Sequence, residues 1–239
     1  MLVENSIKEY IPRKIYLVEY PVHFAGLDVF ARMTIVRLDD STLWVHDPCQ
    51  LTPQLKSQID ELGEVAYIIA PGTYHHLHVL AFQSHYPNAE TFICPGLEKK
   101  RDDLHFDWIL GNQPDHRWQT ELDQHFVQGT IFMAEVVFLH KTSKTLILVD
   151  LLENIGDDYT HDASMLLKFW WKNVFHMWNN PKAAPEYQLG WGNKKRVKEG
   201  LKTILSWDFD RIIIAHGNLI ETDAKSILTK AWKNVLNTE

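Results

Sequence analysis

The chain has 239 residues, 45% of them hydrophobic and 23% charged, with a formal net charge of −7. That is the composition of an ordinary folded domain, large enough to bury a core without disulfides or an obligatory metal. The acidic balance, with no Lys/Arg cluster among aromatics, excludes a general nucleic-acid binder, and the two cysteines, Cys49 and Cys94, exclude a disulfide framework or a Cys-rich zinc module.

The opening segment MLVENSIKEY carries three charges and no apolar signal core. No apolar run approaches the ~20 residues needed to cross a bilayer. A cytoplasmic protein with no membrane partner is therefore expected. A metal site in such a chain would serve function rather than folding.

In chain order, strands are expected at Ile15–Tyr20, Met33–Leu38 and Leu43–His46, the last two joined by the polar turn Asp39-Asp40-Ser41. Asp47-Pro48 ends the third strand. Thr52 reads as an N-cap and Pro53 as the first helical residue of a helix to Leu62, closed by Gly63. Val65–Ala70 is short, apolar and rich in β-branched residues, as a buried strand should be. Residues Pro114–Gly129 read as a linking loop or short helix. Strands are expected again at Glu135–His140 and Thr145–Val149, then helices at His161–Trp178 and Lys194–Trp207, a strand at Arg211–Ala215 and a helix at Glu221–Leu236. The aromatics of Phe169-Trp170-Trp171, Phe175 and Trp178 fall at helical spacing. They suit a core- or dimer-facing stripe, or the wall of a substrate pocket.

The two halves share an order: hairpin, Asp at a strand end, helix, then an Ile-Ile-Ala strand with a Gly turn. Val65–Gly72 stands beside Asp210–Gly217 in this respect. The expectation is one domain over residues 1–239 with two pseudo-repeated halves, about 15–112 and 130–236, and two sheets facing each other between helices.

Ligands of α/β sheets bind at the carboxyl ends of strands. Four such ends carry Asp47, the segment Thr73-Tyr74-His75-His76, Asp150, and His216-Gly217. Taken singly, Asp47 and Asp150 can cap turns and His216 can bond to backbone. Together, imidazole and carboxylate at one rim suit a divalent transition metal, zinc or iron before magnesium. If a helix starts within His75-His76-Leu77-His78, His75 and His78 share a face. There is no G-x-S-x-G elbow, P-loop or H-E-x-x-H.

The chain resembles the metallo-β-lactamase superfamily, in particular an uncharacterised branch. The matching motifs are Arg32-Met33-Thr34 with Leu38, Leu43-Trp44-Val45-His46-Asp47-Pro48, and Pro71 with His75-His76. Phe138–Ile147 with Asp150-Leu151, and His216-Gly217, complete them. The resemblance implies a four-layer αβ/βα sandwich of two mixed sheets. It also implies a metal motif H-x-H-x-D-H, whose last position here is His76. His75 then stands where the family has Asp, and Pro71 and Thr73 stand where it has its first two His. The ligand set it leaves is His75, His76, Asp150 and His216, with Asp47 supporting the site by hydrogen bonding. One divalent ion, zinc rather than iron, or none, is implied. The corresponding activity is metal-assisted hydrolysis of a small ester, lactone or thioester, with His75 and Asp150 catalytic. The alternative is a non-catalytic binding or interaction protein that has kept the fold. A small-molecule substrate and a homo-oligomer are the partners that fit.

Overall fold

The computed structural model describes residues 6–24, 27–157 and 168–238. Seven strands form one sheet in chain order: β1 (Lys8–Ile11), β2 (Ile15–Phe24), β3 (Leu27–Arg37), β4 (Leu43–His46), β5 (Val65–Ala70), β6 (Glu90–Ile93) and β7 (Trp108–Ile109). β1 to β4 pair antiparallel and β4 to β7 pair parallel. The second sheet holds β8 (Leu122–Phe126), β9 (Val136–His140), β10 (Thr145–Ile147) and β11 (Arg211–Ile213), in the order β11-β10-β9-β8. Only the β10–β11 pair is parallel.

The period-2 alternation of strand side chains makes the layers. On β4, Leu43 and Val45 turn outward to Leu55 and Ile59 of α1 (Pro53–Leu62) and to Val79 and Phe82 of α2 (Val79–His85). Trp44, between them, turns inward and meets Phe138 of the second sheet at 4.8 Å between ring centroids. β9 mirrors this, with Val136 and Phe138 inward and Val137 and Leu139 outward. The outward set packs on Val197, Leu201 and Ile204 of the helix Lys194–Ser206, and on Leu228 of the helix Ala224–Ala231. The result is helix, sheet, sheet, helix: the expected four-layer α/β sandwich.

Local sequence signals account for the elements that match. The Thr52 hydroxyl accepts the Leu55 N–H at 3.1 Å, Pro53 starts α1, and the Gly63 N–H bonds to Ile59 O at 3.3 Å. Other expectations are corrected. Pro114–Gly129 is not simply a linker, since it contributes β8, whose residues pair with β9 from Leu122–His140 to Phe126–Val136. β8 carries Asp123, Gln124 and His125, which hide its strand signal. β1, β6 and β7 are likewise short and poorly patterned. The 221–236 helix starts at Ala224, after Asp223 in the left-handed region (φ 56°), and breaks at Trp232 before Lys233–Leu236. Of the expected His161–Trp178 helix, residues 161–167 lie outside the described residues. The rest is a short π-helical stretch, Trp170–Val174, which buries no side chain fully and ends before His176 at φ 53°. The aromatic stripe is therefore not a core face. Phe169 and Trp170 are exposed, while Trp171 and Phe175 line a cavity.

Among the described residues, no helix is long and apolar enough to cross a membrane.

Candidate metal centre

Four strand ends, two from each sheet, meet at one rim. Asp47 directly follows β4 in the left-handed region (φ 54°), its N–H bonded to Ile69 O of β5 at 3.0 Å. His75 sits in the turn after β5, held by its N–H to Gly72 O at 3.2 Å. No helix includes it, because α2 begins only at Val79, so the shared helical face with His78 does not arise. Asp150 follows β10 and His216 follows β11.

One ligand atom each from His75, Asp150 and His216 lies within 4.8 Å of the others. His75 is the hub. Its Nδ1 is 2.8 Å from Asp47 Oδ2 and its Nε2 is 3.1 Å from Asp150 Oδ2. The other Asp150 oxygen faces His216 Nε2 at 3.7 Å. His216 Nδ1 donates to Phe30 O at 2.7 Å, which leaves its Nε2 as a lone pair turned toward Asp150. The Tyr20 hydroxyl donates to Asp47 Oδ2 at 3.2 Å.

The charges follow from these contacts. Burial alone would lower the His75 pKa, but the Asp150 and Asp47 carboxylates outweigh it and hold the ring well above 6.5. Burial likewise opposes ionisation of Asp150, and the His75 charge overrides it, keeping the carboxyl below its ordinary value. His216 goes the other way, lowered chiefly by burial, and stays neutral.

His76 does not join this group. It lines the same cavity, but its Nδ1 lies 2.9 Å from an Arg101 nitrogen. Burial, then the Lys100 and Arg101 charges, push it down to about 4. A cation at that nitrogen would face Arg101 directly, and the donors that lie within 4.8 Å of one another are those of His75, Asp150 and His216.

Two supporting residues were not assigned a role from sequence. Arg32 on β3 is buried between the sheets and donates to Gly217 O at 2.9 Å, to Ile214 O, and to Glu19 Oε1 at 2.6 Å. It ties the first sheet to the loop that carries His216. Gly217, at φ 106°, packs so closely on Asn154 that a Cβ would stand 2.2 Å from Asn154 O. Glu135, just before β9, accepts the N–H groups of Val149, Asp150 and Leu151 at 3.1, 2.9 and 2.9 Å, and so shapes the turn that presents Asp150. Burial and the Asp150 charge push its carboxyl up to about 8 against the pull of those donors. The signal was present in both cases: a charge inside FARMTIV and another heading EVVFL, each at an apolar strand.

The donor set fits a divalent transition metal. Two imidazole nitrogens and one carboxylate, each imidazole fixed by a hydrogen bond from its far nitrogen, are the usual three-ligand arrangement. The centre opens on a cavity of about 230 Å³, walled by Tyr20, Val29, Met133, Trp171 and Phe175 among others.

The family described as Domain of unknown function (DUF4336) matches residues 12–168. No curated protein matches the sequence. Among solved structures, the chain is similar to the DIM-1 metallo-β-lactamase exposed to ceftazidime (TM-score 0.65, 13% identity, 98% of this chain and 99% of that one). It is also similar to a metallo-β-lactamase from Pontibacter korlensis (TM-score 0.64, 12% identity, 98% and 99%). A third is FIM-1 from Pseudomonas aeruginosa in its mono-zinc form (TM-score 0.62, 11% identity, 97% of each chain). The fold is that of the metallo-β-lactamases, and at these identities the likeness reaches no further than the fold.

Proposed function

The chain belongs to the DUF4336 family, and from that premise we propose that it is a mononuclear metal-dependent hydrolase of a small ester, lactone or thioester. The observation that carries the reading is the convergence of His75, Asp150 and His216 at the floor of an apolar-walled cavity. In this reading His75 Nε2, an Asp150 oxygen and His216 Nε2 hold one divalent ion, zinc before iron. A cation held there supplies Lewis acidity toward a carbonyl oxygen and toward water.

The protein's own groups do the rest. Asp47 keeps the His75 proton on Nδ1 and so turns the Nε2 lone pair to the site. The carbonyl of Phe30 does the same for His216. The Asp150 oxygen not engaged by the ion is the group placed to take a proton from water. The apolar walls exclude bulk solvent from an acyl chain and strengthen each polar contact at the floor.

One observation favours a second reading, a fold kept for binding without metal chemistry. The two ring nitrogens of His75 lie within hydrogen-bond reach of carboxylates, Asp47 Oδ2 at 2.8 Å and Asp150 Oδ2 at 3.1 Å, and can donate to both.

Metal content separates the two. Protein purified without chelator should carry about one zinc per chain, by mass spectrometry. His75→Ala and His216→Ala should lose it, and His76→Ala should retain it. Hydrolysis of short-chain esters and lactones should follow zinc content. Absence of zinc even after incubation with the metal would favour the binding reading.

A further inference from the structure

Beyond the three side chains of the candidate metal centre, the cavity continues to a second group of residues, whose two carboxyls the hydrolysis reading does not use. Glu153, Glu186, Trp171 and Phe175 all line it. They are mutual neighbours. The Trp171 indole N–H donates to Glu153 Oε2 at 3.3 Å, the Trp171 and Phe175 rings are 6.2 Å apart, and the Glu186 charge acts on Glu153.

Glu153 is only 6% exposed. Its place is fixed by a two-way backbone bridge to Lys182, N–H to O at 2.7 and 3.1 Å. Among the described residues, that indole contact is the one hydrogen bond to its carboxyl. Neither glutamate forms an ion pair among the described residues. Among the described residues, no Lys or Arg side chain lines the cavity. Lys182, the nearest by sequence, turns its ammonium to Phe175 O at 3.1 Å instead.

Burying a carboxyl is costly unless a partner compensates it. Asp47 and Asp150 have such partners in His75 and in the cation proposed above. Among the described residues, Glu153 has the Trp171 indole alone as a hydrogen-bond donor to its carboxyl, and neither Glu153 nor Glu186 has a cationic partner. Burial, and then neighbouring carboxylate charge, raises both above the ordinary range. A ligand cation would reverse that shift and gain by it. Trp171 and Phe175 line the same cavity, and aromatic ring faces attract a cation that has shed part of its water.

We propose that this end of the cavity takes a small organic ammonium group, held by the Glu153 and Glu186 carboxylates and against the Trp171 and Phe175 rings. The inference rests on reading this cavity as the substrate site, and it narrows the substrate to an acyl compound that carries an amine or quaternary ammonium a few bonds from the carbonyl. Metal and ammonium then bind at opposite ends of one molecule, which orients the carbonyl over His75 and His216.

Choline and its uncharged carbon isostere, 3,3-dimethylbutan-1-ol, test this by isothermal titration calorimetry on the full chain, zinc-loaded and zinc-free. Choline should bind at least about tenfold more tightly, the discrimination expected of a charge-assisted contact in a closed site. Glu153→Gln should abolish that preference and leave the affinity for the isostere unchanged. Glu186→Gln, at a less buried position, should reduce it and provides a second variant should the first fail to fold, as judged by thermal melting. Equal affinities for the two probes, or a preference that survives in both variants, would overturn the proposal. Zinc measured on the same samples keeps the readings apart. Zinc without a choline preference sinks the ammonium site alone, and a choline preference in protein that takes up no zinc sinks the metal reading alone.

Discussion

Asp47 Oδ2 and His75 Nδ1 lie 2.8 Å apart, and both side chains are buried. The pair belongs to the first sheet entirely, yet it sets the direction of a ring whose other nitrogen faces Asp150 of the second. An Asn at position 47 keeps the shape but loses the charge that holds the Nδ1 proton. Asp47→Asn should therefore fold, and its zinc affinity should fall about 10- to 100-fold, the usual effect of removing the partner of a ligating His. Competition against a chromophoric chelator measures it. An unchanged affinity would mean that Asp47 merely caps the β4 turn.

The resting charge of His75 makes a second prediction. With no cation present, the ring is protonated well above 6.5, so zinc must displace the Nε2 proton. At pH 7 binding should release about one proton, and affinity should rise about tenfold per pH unit until His75 is neutral. Calorimetry in buffers of different ionisation enthalpy counts that proton. The same raised pKa bears on folding. Its contribution to the stability of metal-free protein is full below 6.5 and is lost as pH rises through the folded-state value. Zinc binding with no proton release would place the metal on other ligands.

Much of this was legible in the residues themselves. The short apolar runs Leu43–His46 and Val65–Ala70 and the Thr52-Pro53 cap located β4, β5 and α1 to the residue, and Asp or His at four strand ends marked the rim. What stayed hidden has physical causes. β8 is polar because its edge position exposes part of it. His75 and His76 are adjacent, and only the turn after β5 decides which of them faces Asp150 and which faces Arg101. Arg32 and Glu135 act through backbone groups far along the chain, and such partners have no spacing rule. The Glu153 and Trp171 contact depends on how the described part of 168–178 folds back, which no periodicity encodes.

Arg32 offers a test of how the two sheets are joined. Its guanidinium serves Ile214 O, Gly217 O and Glu19 together, a fork that a single ammonium cannot reproduce. Arg32→Lys should cost about 2–4 kcal/mol, since it leaves buried carbonyls short of a donor. It should also weaken zinc binding, because the His216 loop loses its anchor. Urea denaturation and chelator competition report the two effects. A loss of stability with zinc affinity intact would confine Arg32 to holding the sheets.

The inter-sheet core contains a histidine that makes folding sensitive to acid. His46 is stacked on Trp44 at 5.5 Å and set edge-on to Phe138 at 5.7 Å, and among the described residues neither of its ring nitrogens has a hydrogen-bond partner. Burial pushes its pKa down to about 3. Unfolding frees it to titrate near 6.5, so between those values the unfolded chain binds the extra proton and stability falls as pH falls. By pH 4.5 this one residue should cost about 2–3 kcal/mol relative to neutral pH. His140, pushed down to about 4 chiefly by burial, adds to the same trend. His46→Phe fits the aromatic slot and removes the titration. It should shrink the gap between urea midpoints at pH 7 and pH 4.5, with the neutral-pH stability equal or higher. An acid limb as steep as that of the wild type would assign the sensitivity to the carboxylates of the rim.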